Sequence, residues 1–191
     1  MMSRRALYVL LMMVVGGLSA CDTSEQFGTL TAPVTPQFAK NGNKETQRIV
    51  KWARLASATE ACVDKIGKNG GSVTFDGGSL EVTRNAVQTP TTFCVKNIGE
   101  NGEIKLQLRA YQQGNEAPVT QFRAIVRLTV DLTGADVTDW NSLKIVWHNY
   151  DAHSLDNMPT AANKDGKTVT ANLTHFSDYS VTEKGDPAPG E

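Results

Sequence analysis

Three histidines, three cysteines and 20 acidic side chains are the material from which this 191-residue chain could build a reactive centre. His148 and His153 stand close together, with Asp151 between them and Asp156 beyond. Imidazoles and carboxylates gathered in this way can share a divalent metal or relay protons. The spacing does not force them to converge. Leu143 to Tyr150 reads as a strand that carries His148, whereas 151–158 reads as the loop after it. A calcium loop would need ligands at alternating positions about a central glycine, and Asp151-Ala152-His153-Ser154-Leu155-Asp156-Asn157 does not supply them. Surface or capping roles are therefore expected for His148 and His153, with no metal and no other cofactor. Paired carboxylates could also hydrolyse glycosides, but none sits in a recognisable context. The chain has no Gly-x-Ser-x-Gly elbow, phosphate loop, dinucleotide fingerprint or Cys-x-x-Cys pair. Trp52, Trp140 and Trp147 with Tyr111 and Tyr150 could form an aromatic platform for sugars. Trp147 alternates with Leu143 and Ile145 and so belongs in a core, whereas Trp140 stands beside a turn and is expected at the surface.

The elements that must position these residues begin after an export signal. Arg4 and Arg5 form a positive n-region, Ala6 to Val15 an apolar h-region, and small residues lead to a cleavage point. The apolar run is too short for a bilayer core, which needs about 20 helical residues. Leu18-Ser19-Ala20-Cys21 resembles the lipobox of bacterial lipoproteins. The resemblance implies a signal peptide over 1–20, diacylglyceryl and acyl chains (palmitate among them) on Cys21, and attachment to a membrane through that lipid. The alternative is an ordinary signal peptide that leaves a chance cysteine. Several buried acyl chains hold firmly, since each CH₂ contributes about 0.8 kcal/mol. Asp22 resembles the inner-membrane retention signal of enteric lipoproteins. The place implied is the bacterial cell envelope, on the periplasmic side or at the cell surface.

Setting Cys21 aside leaves Cys62 and Cys94, an even number in an oxidising compartment. A disulfide between them is expected, against the alternative of two buried thiols. Loss of Arg4 and Arg5 would leave 17 basic residues against the 20 acidic ones. That balance gives no electrostatic footprint for nucleic acid.

Residues 21–44 are polar, rich in Pro, Thr, Gly and Asn, and without periodicity, so they read as a flexible tether. Residues 45–60 fit a helical face through Ile49, Trp52, Ala53 and Ala56, or a strand through Val50 and Trp52; the rest of the chain favours the strand. From residue 61 the period is two. Ile104, Leu106, Leu108 and Ala110 alternate with Lys105, Gln107 and Arg109, and Ala124, Val126, Leu128 and Val130 alternate with Arg123, Arg127 and Asp131. Val169, Ala171 and Leu173 form another strand, and Tyr179 with Val181 a last one. Turn residues separate these runs, among them Asn69-Gly70-Gly71, Asp76-Gly77-Gly78 and Glu100-Asn101-Gly102. The pattern predicts an all-β fold, an antiparallel β-sandwich of short strands over 45–182. The residues 183–191 carry no large apolar side chain and are expected to be disordered.

Residues 61–182 also resemble the zonula-occludens/netrin-receptor (ZU-five) β-sandwich in its bacterial lipoprotein form. The matching residues are Ile66-Gly67 with Gly70-Gly71-Ser72-Val73, Ser79-Leu80-Glu81-Val82 and Pro90-Thr91-Thr92-Phe93. They continue with Leu143-Lys144-Ile145-Val146-Trp147, Thr168-Val169-Thr170-Ala171 and His175-Phe176-Ser177-Asp178-Tyr179. Where such domains carry a Pro-x-Gly-Ala turn, this chain has Thr83-Arg84-Asn85-Ala86. The resemblance implies a non-catalytic interaction domain. A few relatives cleave themselves between Phe and Ser of a His-Phe-Ser sequence, which here would make Ser177 the nucleophile and His175 its base at Phe176-Ser177. That reaction also needs a strained peptide. The other reading of His175, Ser177 and Tyr179 is an inward-facing set at a strand corner, bonded to backbone. Two classes of function follow: a lipid-tethered module that binds an envelope protein or polysaccharide, or a self-processing domain or envelope hydrolase. The first is favoured.

Overall fold

The computed structural model describes residues 46–53, 60–114 and 116–185, all within the compact unit Pro36–Glu191. The export signal, Cys21 and the tether lie outside the described residues, as does the chain beyond 185. Twelve strands form among the described residues: β1 (Gln47–Ile49), β2 (Ala61–Ile66), β3 (Gly71–Phe75), β4 (Gly78–Val82), β5 (Thr91–Asn97), β6 (Lys105–Gln112), β7 (Gln121–Asp131), β8 (Lys144–Asn149), β9 (Ser154–Asn157), β10 (Thr160–Asn163), β11 (Thr168–His175) and β12 (Asp178–Lys184). They build two antiparallel sheets. One runs β2-β5-β6-β12-β8-β9 with β1 also on β12, and the other runs β10-β11-β7-β4-β3. The expected all-β antiparallel sandwich is the architecture present. No helix among the described residues is long and apolar enough to cross a membrane.

The two-residue period puts the core where the side chains alternate. Leu106, Leu108 and Ala110 of β6 are buried, as are Val126, Leu128 and Val130 of β7 and Val169, Ala171 and Leu173 of β11. These inward rows pack into one cluster with Val50, Trp52, Tyr179 and Val181. The strand reading of 45–60 holds over Gln47–Ile49.

Turn chemistry also works locally. Glu103 N–H donates to Glu100 O at 3.0 Å across Asn101 (φ 51°) and Gly102 (φ 79°). Two successive positive φ values are the mark of a type I′ turn, which suits the twist of a hairpin. Asn85 takes φ 66° in a turn closed by Ala86 N–H on Thr83 O. Asparagine tolerates this left-handed conformation better than other non-glycine residues.

Cys62 and Cys94 lie directly opposite each other on β2 and β5, with Cα atoms 4.2 Å apart, and they form a disulfide. The short Cα separation fits a non-hydrogen-bonded pair of an antiparallel ladder. Closing a loop of this length stabilises the fold by about 2–4 kcal/mol. It also fastens an edge strand, β2, to its neighbour.

The C-terminal boundary differs from the sequence expectation. Glu183 and Lys184, expected at the start of a disordered tail, are the last residues of β12, and Glu183 is 1% exposed. Arg48 of β1 stands opposite it in the ladder and pairs with its carboxylate. Thr138 N–H and Asp139 N–H donate to Glu183 Oε2 at 2.9 and 2.8 Å, and Thr138 Oγ1 donates to Oε1 at 3.0 Å. A hydropathy pattern scores this residue as solvent-seeking because it cannot see the partners that neutralise it. Glu183→Gln keeps the volume and removes one of the two carboxylates that pair with Arg48, the other being Asp136 at 3.1 Å. Arg48 retains about a third of its exposure, so water compensates part of the loss. Unfolding free energy, measured by urea denaturation, is expected to fall by about 2–3 kcal/mol; an unchanged midpoint would contradict the role assigned to the carboxylate.

Candidate functional site

The His175-Phe176-Ser177 sequence lies where β11 of one sheet passes to β12 of the other. Tyr179 O–H donates to His175 O at 2.9 Å and lies 3.2 Å from His175 Nδ1. A tyrosine that bonds back to backbone a few residues upstream is the device that fixes such crossings in immunoglobulin-like sandwiches. Burial raises the Tyr179 phenol well above its usual range, so it stays a donor. Burial lowers the His175 imidazole, partly offset by a hydrogen bond with the Phe176 backbone. On its other side His175 meets the Trp147 ring edge-on, with centroids 4.4 Å apart.

The Phe176–Ser177 bond is anchored at both ends. Phe176 N–H donates to Thr120 O at 3.2 Å, and Ser177 O accepts from Leu108 N–H at 3.1 Å. The Phe176 ring packs edge-on against Phe93 and Phe122, with centroids 5.6 and 4.5 Å away. Among the described residues the Ser177 hydroxyl makes no hydrogen bond, so the fold does not join it to His175. Positive φ among non-glycine residues falls at Lys65, Asn85, Asn101, Glu116, His153 and Lys167, not at Phe176 or Ser177.

A second imidazole is placed differently from the sequence expectation. His148, expected at the surface or at a cap, is 3% exposed on β8, and its Nε2 lies 2.7 Å from Ser180 Oγ on β12. The β8–β12 register explains this. Trp147 faces Tyr179 on the core side and Val146 faces Ser180 on the other, so His148 lies on the same face as Ser180 and Asp178. The Asp178 carboxylate accepts from Gln107 Nε2 at 3.3 Å and from the Tyr150 hydroxyl. That bond and partial burial push the Tyr150 phenol up to about 12, burial being the larger cause. Burial, reinforced by the Lys105 ammonium and opposed by Asp178, pushes His148 down to about 4.

Ser180, His148 and Asp178 are the residue types of an acyl-transfer triad. Their arrangement does other work: Ser180 is 1% exposed, and the carboxylate is held by Tyr150 and Gln107. The three form a polar seam that ties β6, β8 and β12 together on one face of the sheet. The remaining His and Asp candidates separate. His153 and Asp151 are exposed, and Asp156 accepts from Asn149 Nδ2 and Ser154 Oγ at 3.1 and 3.0 Å. Among the described residues, Glu60, Cys62 and Cys94 are the group with ligand atoms within reach of a common ion, and its two sulfurs are joined in the disulfide.

The aromatic candidates do not share a surface. Trp52 is buried, Trp140 and Trp147 pack partly buried against the core, and Tyr150 is exposed. Trp140 is thus less open than its place beside a turn suggests. Asp178, Ser180 and Thr182 were not legible as a set. They alternate with Tyr179 and Val181, which in sequence reads as the solvent face of an ordinary strand.

The seam makes stability depend on pH. His148 binds a proton more weakly folded than unfolded, so the unfolded chain holds more protons between pH 4 and 6.5. Stability is complete above 6.5 and falls by up to about 3 kcal/mol as pH drops towards 4. Urea denaturation at a series of pH values is expected to show this slope, and His148→Gln to flatten it; equal slopes in both proteins would contradict the assignment. Compared with protein-family models, curated proteins and solved structures, the chain matches none.

Proposed function

We propose that this chain is an exported lipoprotein, held to a membrane of the bacterial cell envelope by lipid on Cys21. Its ZU-five-like β-sandwich is a non-catalytic module that binds a protein or polysaccharide partner there. One observation supports the non-catalytic reading: the two imidazoles nearest to candidate nucleophiles are hydrogen-bonded to other groups of the sandwich, and Ser177 is joined to neither. Tyr179 holds His175, and Ser180 holds His148 at 2.7 Å with both side chains buried. A general base must reach the proton that it abstracts, and these imidazoles serve internal partners. The Cys62–Cys94 disulfide supports the exported compartment, because such bonds persist where the surroundings are oxidising. The lipobox at 18–21 and the polar stretch 22–44 support a tethered domain.

The test is capture from native envelopes by the full chain, with Ser177→Ala alongside. Retention of the same envelope protein or glycan by both proteins is expected. Failure to retain any partner, together with a hydrolytic activity that Ser177→Ala abolishes, would reverse the reading in favour of a self-processing domain or hydrolase.

A further inference from the structure

One face of the β12–β8 ladder is buried without being core. Tyr179 and Val181 of β12 point into the sandwich, whereas Ser180 and Thr182 point away from it, as do Val146 and His148 of β8. Outward side chains of a two-layer sandwich normally meet water. Those of the other sheet do: Glu81, Arg127 and Asn172 stand side by side on β4, β7 and β11 and are exposed. Val146, Ser180, Thr182 and His148 are instead 0, 1, 1 and 3% exposed, and Val146 is no member of the core cluster. Neighbouring strands flank both rows alike, so the difference requires a cover over this face. The second sheet packs on the opposite side, and no described strand lies over this one.

The character of the cover follows from Thr182. Its hydroxyl is shut off from water and makes no hydrogen bond, a loss that a polar cover or a trapped water would repair. What lies against it is therefore apolar. The origin of the cover follows from where the chain enters. Thr46 and Gly185 close the end of the β1–β12 ladder: Gly185 N–H donates to Thr46 O at 2.6 Å, and Thr46 Oγ1 donates to Gly185 O at 3.0 Å. Ile49 stands opposite Thr182 on the same face. The chain before Thr46 thus leaves beside this face, and the compact unit that contains the sandwich begins at Pro36. Between 36 and 45 the large apolar side chain is Phe38, eight positions before Thr46. Extended chain of that length reaches roughly 26 Å, against roughly 17 Å along β12 from Gly185 back to Ser180.

We infer that residues 36–45 double back from Thr46 over this face as a strap, with the Phe38 ring seated on Val146, Ser180 and Thr182. Removal of the ring and of Val146 from water drives the docking. The strap also closes the His148–Ser180 pair off from solvent. It shortens the tether to 22–35 and joins the sandwich to it by a face as well as by a strand end. The inference goes beyond the binding reading and stands whether or not Cys21 carries lipid.

Maleimide labelling of the purified, detergent-solubilised full chain tests it. Val146→Cys places a thiol under the strap and Asn172→Cys places one on the open face of the other sheet, and modification is read by mass on the peptide that holds each position. Val146→Cys is expected to react at least about tenfold more slowly than Asn172→Cys. Adding Phe38→Ser, or replacing 36–40 by a Gly-Ser sequence of equal length, is expected to raise the rate at position 146 about tenfold or more and to leave that at 172 unchanged. Thermal midpoints control for folding. Carbethoxylation of His148 against the exposed His153 repeats the comparison without an introduced cysteine, and replacing the strap should speed it at His148 alone. Rapid labelling of Val146→Cys in the otherwise unaltered chain would overturn the inference, since the face would be open. So would protection that survives either change to the strap, or protection lost on dilution, which would make the cover a second copy of the chain.

Discussion

A carboxylate without exposed surface has to find its counter-charge and its hydrogen bonds in the protein, and Glu183 finds them in two separate parts of the chain. Arg48 brings β1 to β12, and the N–H groups of Thr138 and Asp139 bring in the turn that leads to β8. A buried ion pair is weak evidence of net stability, because desolvation opposes the attraction. It is strong evidence of position, since these partners fit one register only. With β1 set in that register, Val50 N–H reaches Val181 O at 2.9 Å and Trp52 N–H reaches Gly102 O at 2.7 Å. Both side chains then close the end of the core.

Polar groups along the rest of β12 follow the same logic. Tyr179 faces the core and spends its hydroxyl on the corner that leads into the strand, while Asp178 and Ser180 face the other way and meet Tyr150, Gln107 and His148. A histidine kept neutral by burial, at the side of a serine, would be a nucleophile's base in an open cleft. In this closed seam it is a link between adjacent strands. The difference is one of access and partners rather than of residue type, which is why the seam reads as architecture.

Much of the fold was legible before any coordinates, because burial on one face of a sheet imposes a period of two that β6, β7 and β11 display plainly. The Asn101-Gly102 turn was legible for a comparable reason: its conformation is encoded in two adjacent residues. The disulfide followed from counting cysteines, once Cys21 was set aside as an expected site of lipid. What escaped depends on pairing between distant strands. Nothing near Glu183 announces Arg48, some 135 residues earlier, and nothing near His148 announces Ser180, 32 residues on. Such polar contacts score as hydrophilic in any local window, so a strand end passed for a tail and a buried imidazole for a surface one.

The claim on which the account turns is that the chain works as an intact, lipid-held scaffold. Its most direct test is the mass of the protein extracted from membranes, measured under denaturing, non-reducing conditions. A single chain is expected, beginning at an acylated Cys21, continuous through Phe176-Ser177 and lighter by two hydrogens for the Cys62–Cys94 bond. A chain cut after Phe176, or one lacking lipid on Cys21, would contradict that claim.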